Sequence, residues 1–456
     1  MSQSAMDSIR DYLERIFSFL SKYQWIYVHK NINIFTDKVL LNFSKDWMRF
    51  FNILTVDELH GLVQGYIQDS APEDLKCLIN EIQFLNPKCD LKCPTLDSHS
   101  LPKNFGISLK KHHEISLLAP IINEICQETD CNLILDIGSG VGYLPHLLHE
   151  TYNYQVLALE MSKQLIASAL IKQKKFYPNS KDQVIFEEMF VNEDSIDAID
   201  DLIKKHFGSG KKVCLTGLHA CADLSVEIEK IFLKLQDVQA MVIMPCCYHR
   251  MIRKDDQSFN SFPVSHMVKT LFKNYKANGF IKEEFLRLAC QQSYQCFLKM
   301  SKEEHLQHSI HSIRRALLEF VAKLENCSVR RIKRKSIRPE STTSTDIDKD
   351  FEEYLNNLTR THRLLGNHVN HIKIDDEAFR FKMREKWTEQ KNDCWQVEIL
   401  MGLQAAIQPI CETVILFDRV VFLKEKGVHC YKRKITDDEI SPRCWAVIAK
   451  KNMSFC

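Results

Sequence analysis

Residues 133–142 read Leu-Ile-Leu-Asp-Ile-Gly-Ser-Gly-Val-Gly: an apolar run, an acid, then three glycines at alternate positions. A short buried strand runs directly into a turn with no side chains in the way. A ligand can therefore lie against backbone amides at the start of a helix. The third glycine follows the second by two residues, where the dinucleotide fingerprint Gly-x-Gly-x-x-Gly needs three. That tight spacing after an acid suits a nucleoside cofactor without a pyrophosphate.

The segment after the loop supports this. Tyr143–Thr151 has the spacing of a helix, carrying Leu144, Leu147 and Leu148, and Gln155–Glu160 follows as a second apolar strand ending in a carboxylate. A βαβ unit places an acid at that point to accept hydrogen bonds from the ribose hydroxyls. Asp136, Gly138, Ser139, Gly140, Gly142 and Glu160 are thus the candidate cofactor residues, and S-adenosyl-L-methionine is the expected cofactor. The competing reading is a glycine turn in an unrelated α/β fold.

Strand and helix signals alternate beyond this unit. Val184–Phe186, Lys212–Gly217 and Ala240–Cys246 read as strands, separated by helical patterns at Ser195–Phe207 and Leu224–Leu235. Alternation with apolar strands implies a doubly wound parallel sheet, α/β and Rossmann-like. Leu403–Lys426 has the pattern of a long amphipathic helix, and Val428–Lys434 and Trp445–Lys450 that of a closing hairpin. A helix and hairpin after strand five resemble the way class I methyltransferase sheets finish, giving seven strands. The expected organisation is a helical N-terminal region (1–105), a core with strands one to five (106–249), a helical insertion (250–402) and a closing segment (403–456).

Composition excludes several classes. The 456 residues hold 61 basic and 59 acidic side chains, so no global field draws the chain to polyanions or membranes. Seventeen cysteines are scattered, several in apolar runs such as those around Cys126, Cys214, Cys290 and Cys296. That is the usage of reduced core thiols in an intracellular protein, cytoplasmic or nuclear. Arg10, Asp11, Glu14, Arg15 and Lys22 interrupt the first apolar stripe, so no secretory leader is expected. No apolar run is expected to reach the roughly 18 residues of a membrane span. A local basic run, Arg330, Arg331, Lys333, Arg334, Lys335 and Arg338, lies in a loop at 328–345. It reads as a solvated loop, a nuclear address or a contact for RNA phosphates. The oligomeric state is not legible.

In a doubly wound sheet ligands bind at the carboxyl ends of the strands. Strand four ends near His219, Cys221 and Asp223, and strand five near Cys246, Cys247, Tyr248 and His249. His219, Asp223, Cys246, Cys247 and His249 are the candidate catalytic residues. One of them, His219 or Asp223, would take a proton during group transfer. Alternatively a cysteine thiolate attacks a ring covalently, or the cysteines and histidines bind zinc. Adjacent Cys246-Cys247 is poor spacing for zinc compared with Cys-x2-Cys, so no metal is expected. The remaining possibility is a set of core thiols with a structural histidine.

Several segments together resemble the methyltransferase-like protein 25 family: Gly106-Ile-Ser-Leu-Lys-Lys-His-His-Glu-Ile115, the loop 136–142, Gly217–Leu224, Cys246-Cys-Tyr-His249, Phe262-Pro-Val-Ser265 and Ser441-Pro-Arg443. The resemblance implies a class I S-adenosylmethionine-dependent methyltransferase whose acceptor is open. Ala222 stands where that pattern expects glycine. The strand-four and strand-five motifs are also similar to those of acceptor-stem tRNA 2′-O-methyltransferases, which favours RNA as acceptor over a protein side chain. No Asn/Asp-Pro-Pro-Tyr motif follows strand four, so a non-catalytic scaffold acting through the insertion is a further reading.

Overall fold

The computed structural model describes residues 3–87, 106–255, 258–275, 279–291, 293–332, 346–366 and 373–451. A seven-stranded sheet is built from β1 (Leu133–Ile137), β2 (Gln155–Glu160), β3 (Val184–Glu188), β4 (Val213–Cys221), β5 (Val238–Cys246), β6 (His429–Lys434) and β7 (Trp445–Lys450). Their order is β3-β2-β1-β4-β5-β7-β6. The five from β3 to β5 are parallel, and β7 runs antiparallel between β5 and β6. The order reverses between β1 and β4, which opens a crevice at their carboxyl ends.

Both faces of the sheet are covered, which is why its central strands read as unbroken apolar runs. Ile134, Val156, Cys214 and Val242 pack with Leu118 and Ile122 of the helix Leu109–Thr129 on one face. Leu133, Leu135, Leu157, Leu215 and Met241 face the other way, onto Ile199, Ile228 and Leu416. Alternate residues of each strand thus feed two separate cores.

The chain divides into two compact units. The first, which holds the sheet, comprises residues 1–22, 85–295 and 408–456; the second comprises 23–84 and 296–407. This differs from the linear division expected from sequence. Residues 3–22 form a helix that packs Phe17 on Phe280 and Tyr12 on Phe417, within the first unit. The aromatic cluster of Trp25, Phe43, Trp47 and Phe51 belongs instead with the second unit, where Trp395 donates to the Phe51 carbonyl at 2.9 Å. The second unit is mainly helical but also contains an antiparallel strand pair, Cys327–Arg331 with His362–Gly366. Arg330 and Arg331 lie on its first strand, not in a loop. Lys333, Arg334, Lys335 and Arg338 lie outside the described residues.

The last helix begins at Cys394, nine residues before the expected start, and runs to Glu425. The stretch Glu377–Glu425 includes an 18-residue window of mean hydropathy 1.6, long and apolar enough to cross a bilayer. This corrects the expectation that no run reaches that length. The window is 89% buried inside the protein, as in a core helix.

Candidate functional site

The loop after β1 has the geometry its glycines suggest. Gly138, Gly140 and Gly142 all have positive φ, at 77°, 61° and 79°. The Gly138 and Ser139 amides donate to the Leu159 carbonyl at 2.8 and 3.1 Å, tying the loop to the end of β2. Two glycines differ in what surrounds them. A Cβ at Gly142 would lie 2.5 Å from Phe186 Cζ, whereas one at Gly140 would meet nothing within 4 Å. Gly142 is therefore required by packing, and Gly140 opens onto free space.

Glu160 closes this cradle. Its Oε2 accepts from the Gly140 amide and its Oε1 from the Ser162 amide, both at 3.0 Å. A carboxylate has about four lone-pair sites, so each oxygen can still accept from a ligand hydroxyl. The Ser139 hydroxyl of the same loop is buried and has no partner among the described residues. Asp136 is buried in β1, and burial pushes its carboxyl up to about 7, opposed by Lys111 and reinforced by Glu160. An open glycine, an orphaned hydroxyl and free carboxylate lone pairs fit a nucleoside with a ribose diol.

β4 runs four residues past its expected end and carries an irregularity in its pairing with β5 between Gly217 and Ala220. His219 falls in that bulge with φ 63°. Such a bulge re-aims a side chain off the ladder. The imidazole Nε2 lies 3.0 Å from Glu114 Oε2 in the helix Leu109–Thr129. Glu114 is buried and accepts from the Ser441 hydroxyl at 2.7 Å. Burial would raise the Glu114 carboxyl, but His219, Ser441 and Lys110 together hold it below the ordinary value. Nε2 must then carry the proton, leaving Nδ1 as the acceptor nitrogen of the neutral ring.

The other expected residues divide. Asp223 Oδ2 accepts from the Ile252 amide at 2.9 Å, while its buried Oδ1 has no partner among the described residues. Cys221 and Cys246 are register partners across β4 and β5, with Sγ atoms 3.0 Å apart. Cys247 follows with φ 53°, and all three sulfurs lie within 4.8 Å of one another. The neighbouring thiols donate toward Cys247 and hold it well below an ordinary thiol, while Cys246 is pushed up. His249 turns to Cys290, with Nδ1 2.9 Å from its Sγ. Tyr248 is buried, and its hydroxyl lies 3.2 Å from both the Pro245 carbonyl and Glu412 Oε1. Arg443 donates to the same Glu412 oxygen at 2.9 Å. Tyr248 and Arg443 are thus anchors that fix the turn after β5.

Glu114 and Ser441 acquired no role from sequence. The one signal for them was a carboxylate closing the basic run Lys110-Lys-His-His at the start of an apolar helix. Ala222 has φ 53°, the left-handed region where glycine was expected, and its amide donates to the Cys246 carbonyl at 2.9 Å.

This strand order and loop define the fold of class I S-adenosylmethionine-dependent methyltransferases. Residues 110–254 match the family model described as "Methyltransferase domain". The chain is similar to "Probable methyltransferase-like protein 25" of Mus musculus, 26% identical over 264 residues, covering 52% of this chain and 37% of that protein. The Homo sapiens protein of the same name is 24% identical over 289 residues, 61% of this chain and 43% of its own length. The chain thus spans under half the length of both relatives. A structure of M. capricolum TrmK with S-adenosyl-homocysteine aligns over 27% of this chain and 50% of that one, at 17% identity and a TM-score of 0.20, an overlap too small to bear on function.

Proposed function

We propose that this protein binds S-adenosylmethionine in the 136–142 loop and methylates RNA. The observation that carries the cofactor reading is Glu160, which bridges two amides at the mouth of an open glycine turn. Its remaining lone pairs are placed for the ribose diol, and the Ser139 hydroxyl for a polar edge of the same ligand. When bound, the cofactor supplies a methyl group on a positively charged sulfur, already activated for in-line transfer. The chain's own task is to align and desolvate the acceptor and to accept its proton. His219 Nδ1 is the group we assign to that proton, with Glu114 fixing the tautomer and stabilising the charged ring. A positioned base contributes roughly 10²–10⁴ to rate.

The RNA reading is supported by the strand-end motifs and by a feature of the second unit. A cavity of about 480 Å3 there is lined by Arg314, Arg315, Arg331 and Arg360, together with the acidic Glu319, Asp350 and Glu353. Arg314 is only 7% exposed, yet its Nε and Nη2 lack hydrogen-bond partners among the described residues. Asp350 Oδ2, at 3.7 Å from Nη2, is too far to satisfy it. A buried guanidinium with free N–H groups on a cavity wall suits a phosphate.

The test is transfer of label from radioactive S-adenosylmethionine into cell extract, followed by ribonuclease or protease. Loss of label with ribonuclease is expected. Label that survives ribonuclease and disappears with protease would replace RNA by protein as the acceptor.

A further inference from the structure

The thiols at the ends of β4 and β5 are more ordered than core cysteines need to be. Cys221 and Cys246 face each other as register partners of neighbouring parallel strands. In an extended continuation, Cys247 would point to the opposite side of the sheet from Cys246. Its left-handed backbone, at φ 53°, reverses that alternation and returns its sulfur to the other two. A non-glycine residue is sterically strained in that conformation. The same conformation occurs at Ala222, directly after Cys221, so strain flanks the cluster on both strands. Tyr248 then locks the turn from below, through Pro245 and Glu412. Rigid support behind a set of donor atoms is what a preformed ligand site requires.

The dimensions fit a metal. Tetrahedral zinc thiolates have Zn–S near 2.3 Å, which separates sulfurs by about 3.8 Å. Three sulfurs within 4.8 Å of one another, with Cys221 and Cys246 3.0 Å apart, reach that arrangement by small side-chain rotations. Cys246 is buried while Cys221 and Cys247 are half-buried, so the cluster is open on one side. His249 is engaged by Cys290, outside the trio. Adjacent cysteines are poor zinc spacing when read along the chain; the third thiol, supplied by the neighbouring strand, removes that objection.

We propose that Cys221, Cys246 and Cys247 form a three-thiolate site for zinc, with an exchangeable fourth position facing the strand-end crevice. Soft thiolate ligands select zinc over magnesium, calcium or manganese. Three protein ligands and one open position are the pattern of catalytic rather than structural zinc. Binding forms three Zn–S bonds and releases to water whatever S–H protons remain, so three thiolates and one Zn2+ give the cluster a net charge of −1, near the Arg250 guanidinium. A bound ion there could orient an acceptor atom, but the site stands whether or not methyl transfer occurs.

The full chain, purified under reductant without chelators, is stripped with a strong chelator and titrated with zinc alone. About one equivalent should bind, and cobalt should give sulfur-to-metal charge-transfer bands. Zinc should protect the peptides carrying Cys221 and Cys246–Cys247 from alkylation, while exposed Cys77 stays reactive. Cys221→Ser and Cys247→Ser should each weaken binding by at least roughly tenfold, and Cys290→Ser should leave it unchanged. The alkylation pattern of the wild type needs no variant to fold. Protection of none of these three thiols, full zinc retention by both serine variants, or a Cys221–Cys246 disulfide in the isolated protein would overturn the site.

Discussion

Glu160 shows how one side chain can serve the fold and the ligand together. Its carboxylate holds the glycine loop through Gly140 and the following turn through Ser162. Removing it leaves two amides without their partner and, in the function proposed, a cofactor ribose without its acceptor. Glu160→Ala should lower affinity for S-adenosylhomocysteine by about 10–100-fold, from charge-assisted bonds of roughly 1.5–3 kcal/mol. Calorimetry on the purified chain checks this, and unchanged affinity would remove Glu160 from the site. Gly142 answers to packing instead. Gly142→Ala combines a φ of 79° with a Cβ 2.5 Å from Phe186, and should destabilise the fold by about 2–3 kcal/mol in a denaturant titration. Gly140→Ala meets no such atom and carries only the backbone strain.

At the scale of elements, the helix Leu224–Lys234 contains a carboxylate that must stay protonated. Glu229 is fully buried, neither oxygen has a hydrogen-bond partner among the described residues, and burial raises its carboxyl to about 8 despite Arg419. The unfolded chain releases that proton near the ordinary 4.5, the folded chain only near 8. Between those values the native state binds more protons, so stability falls as pH rises, by about 1.4 kcal/mol per unit for one group, and is then level. Thermal melts of Glu229→Gln should lose that part of the slope between pH 5 and pH 8; an identical pH profile would show that Glu229 ionises normally. Elements also explain what is readable in one dimension. The central strands are legible because they are buried on both sides, and Asp136 and Glu160 because their spacing is local to one βαβ unit. The full length of β4 is not, since its bulge at Leu218–His219 looks like a strand end along the chain. Glu114 and Ser441 are hidden because His219 and Glu114 meet across 105 residues, and Glu114 and Ser441 across 327. The three-thiol cluster is obscured for the same reason: along the chain it is a pair and a distant single.

For the whole molecule, the near-neutral charge of the chain hides a local concentration of arginine in the second unit. If that cavity holds RNA phosphates, Arg315→Gln with Arg360→Gln should weaken binding of single-stranded RNA across sequences. The slope of log affinity against log salt should become shallower by about 0.7 for each phosphate no longer neutralised. Filter binding between low and physiological salt measures it, and an unchanged slope would place the RNA elsewhere. The sheet itself has a consequence for how the protein is made. β5 is complete at Cys246, but its partner β7 begins only at Trp445. At about 5–20 residues per second, a ribosome needs roughly 10–40 s to deliver the intervening stretch. Throughout that interval the nascent chain presents an apolar strand with unpaired amides and carbonyls, an open template for other chains. The insertion that supplies residues 296–407 of the second unit therefore also sets a waiting time, during which a chaperone or the ribosome surface must shield the unfinished edge.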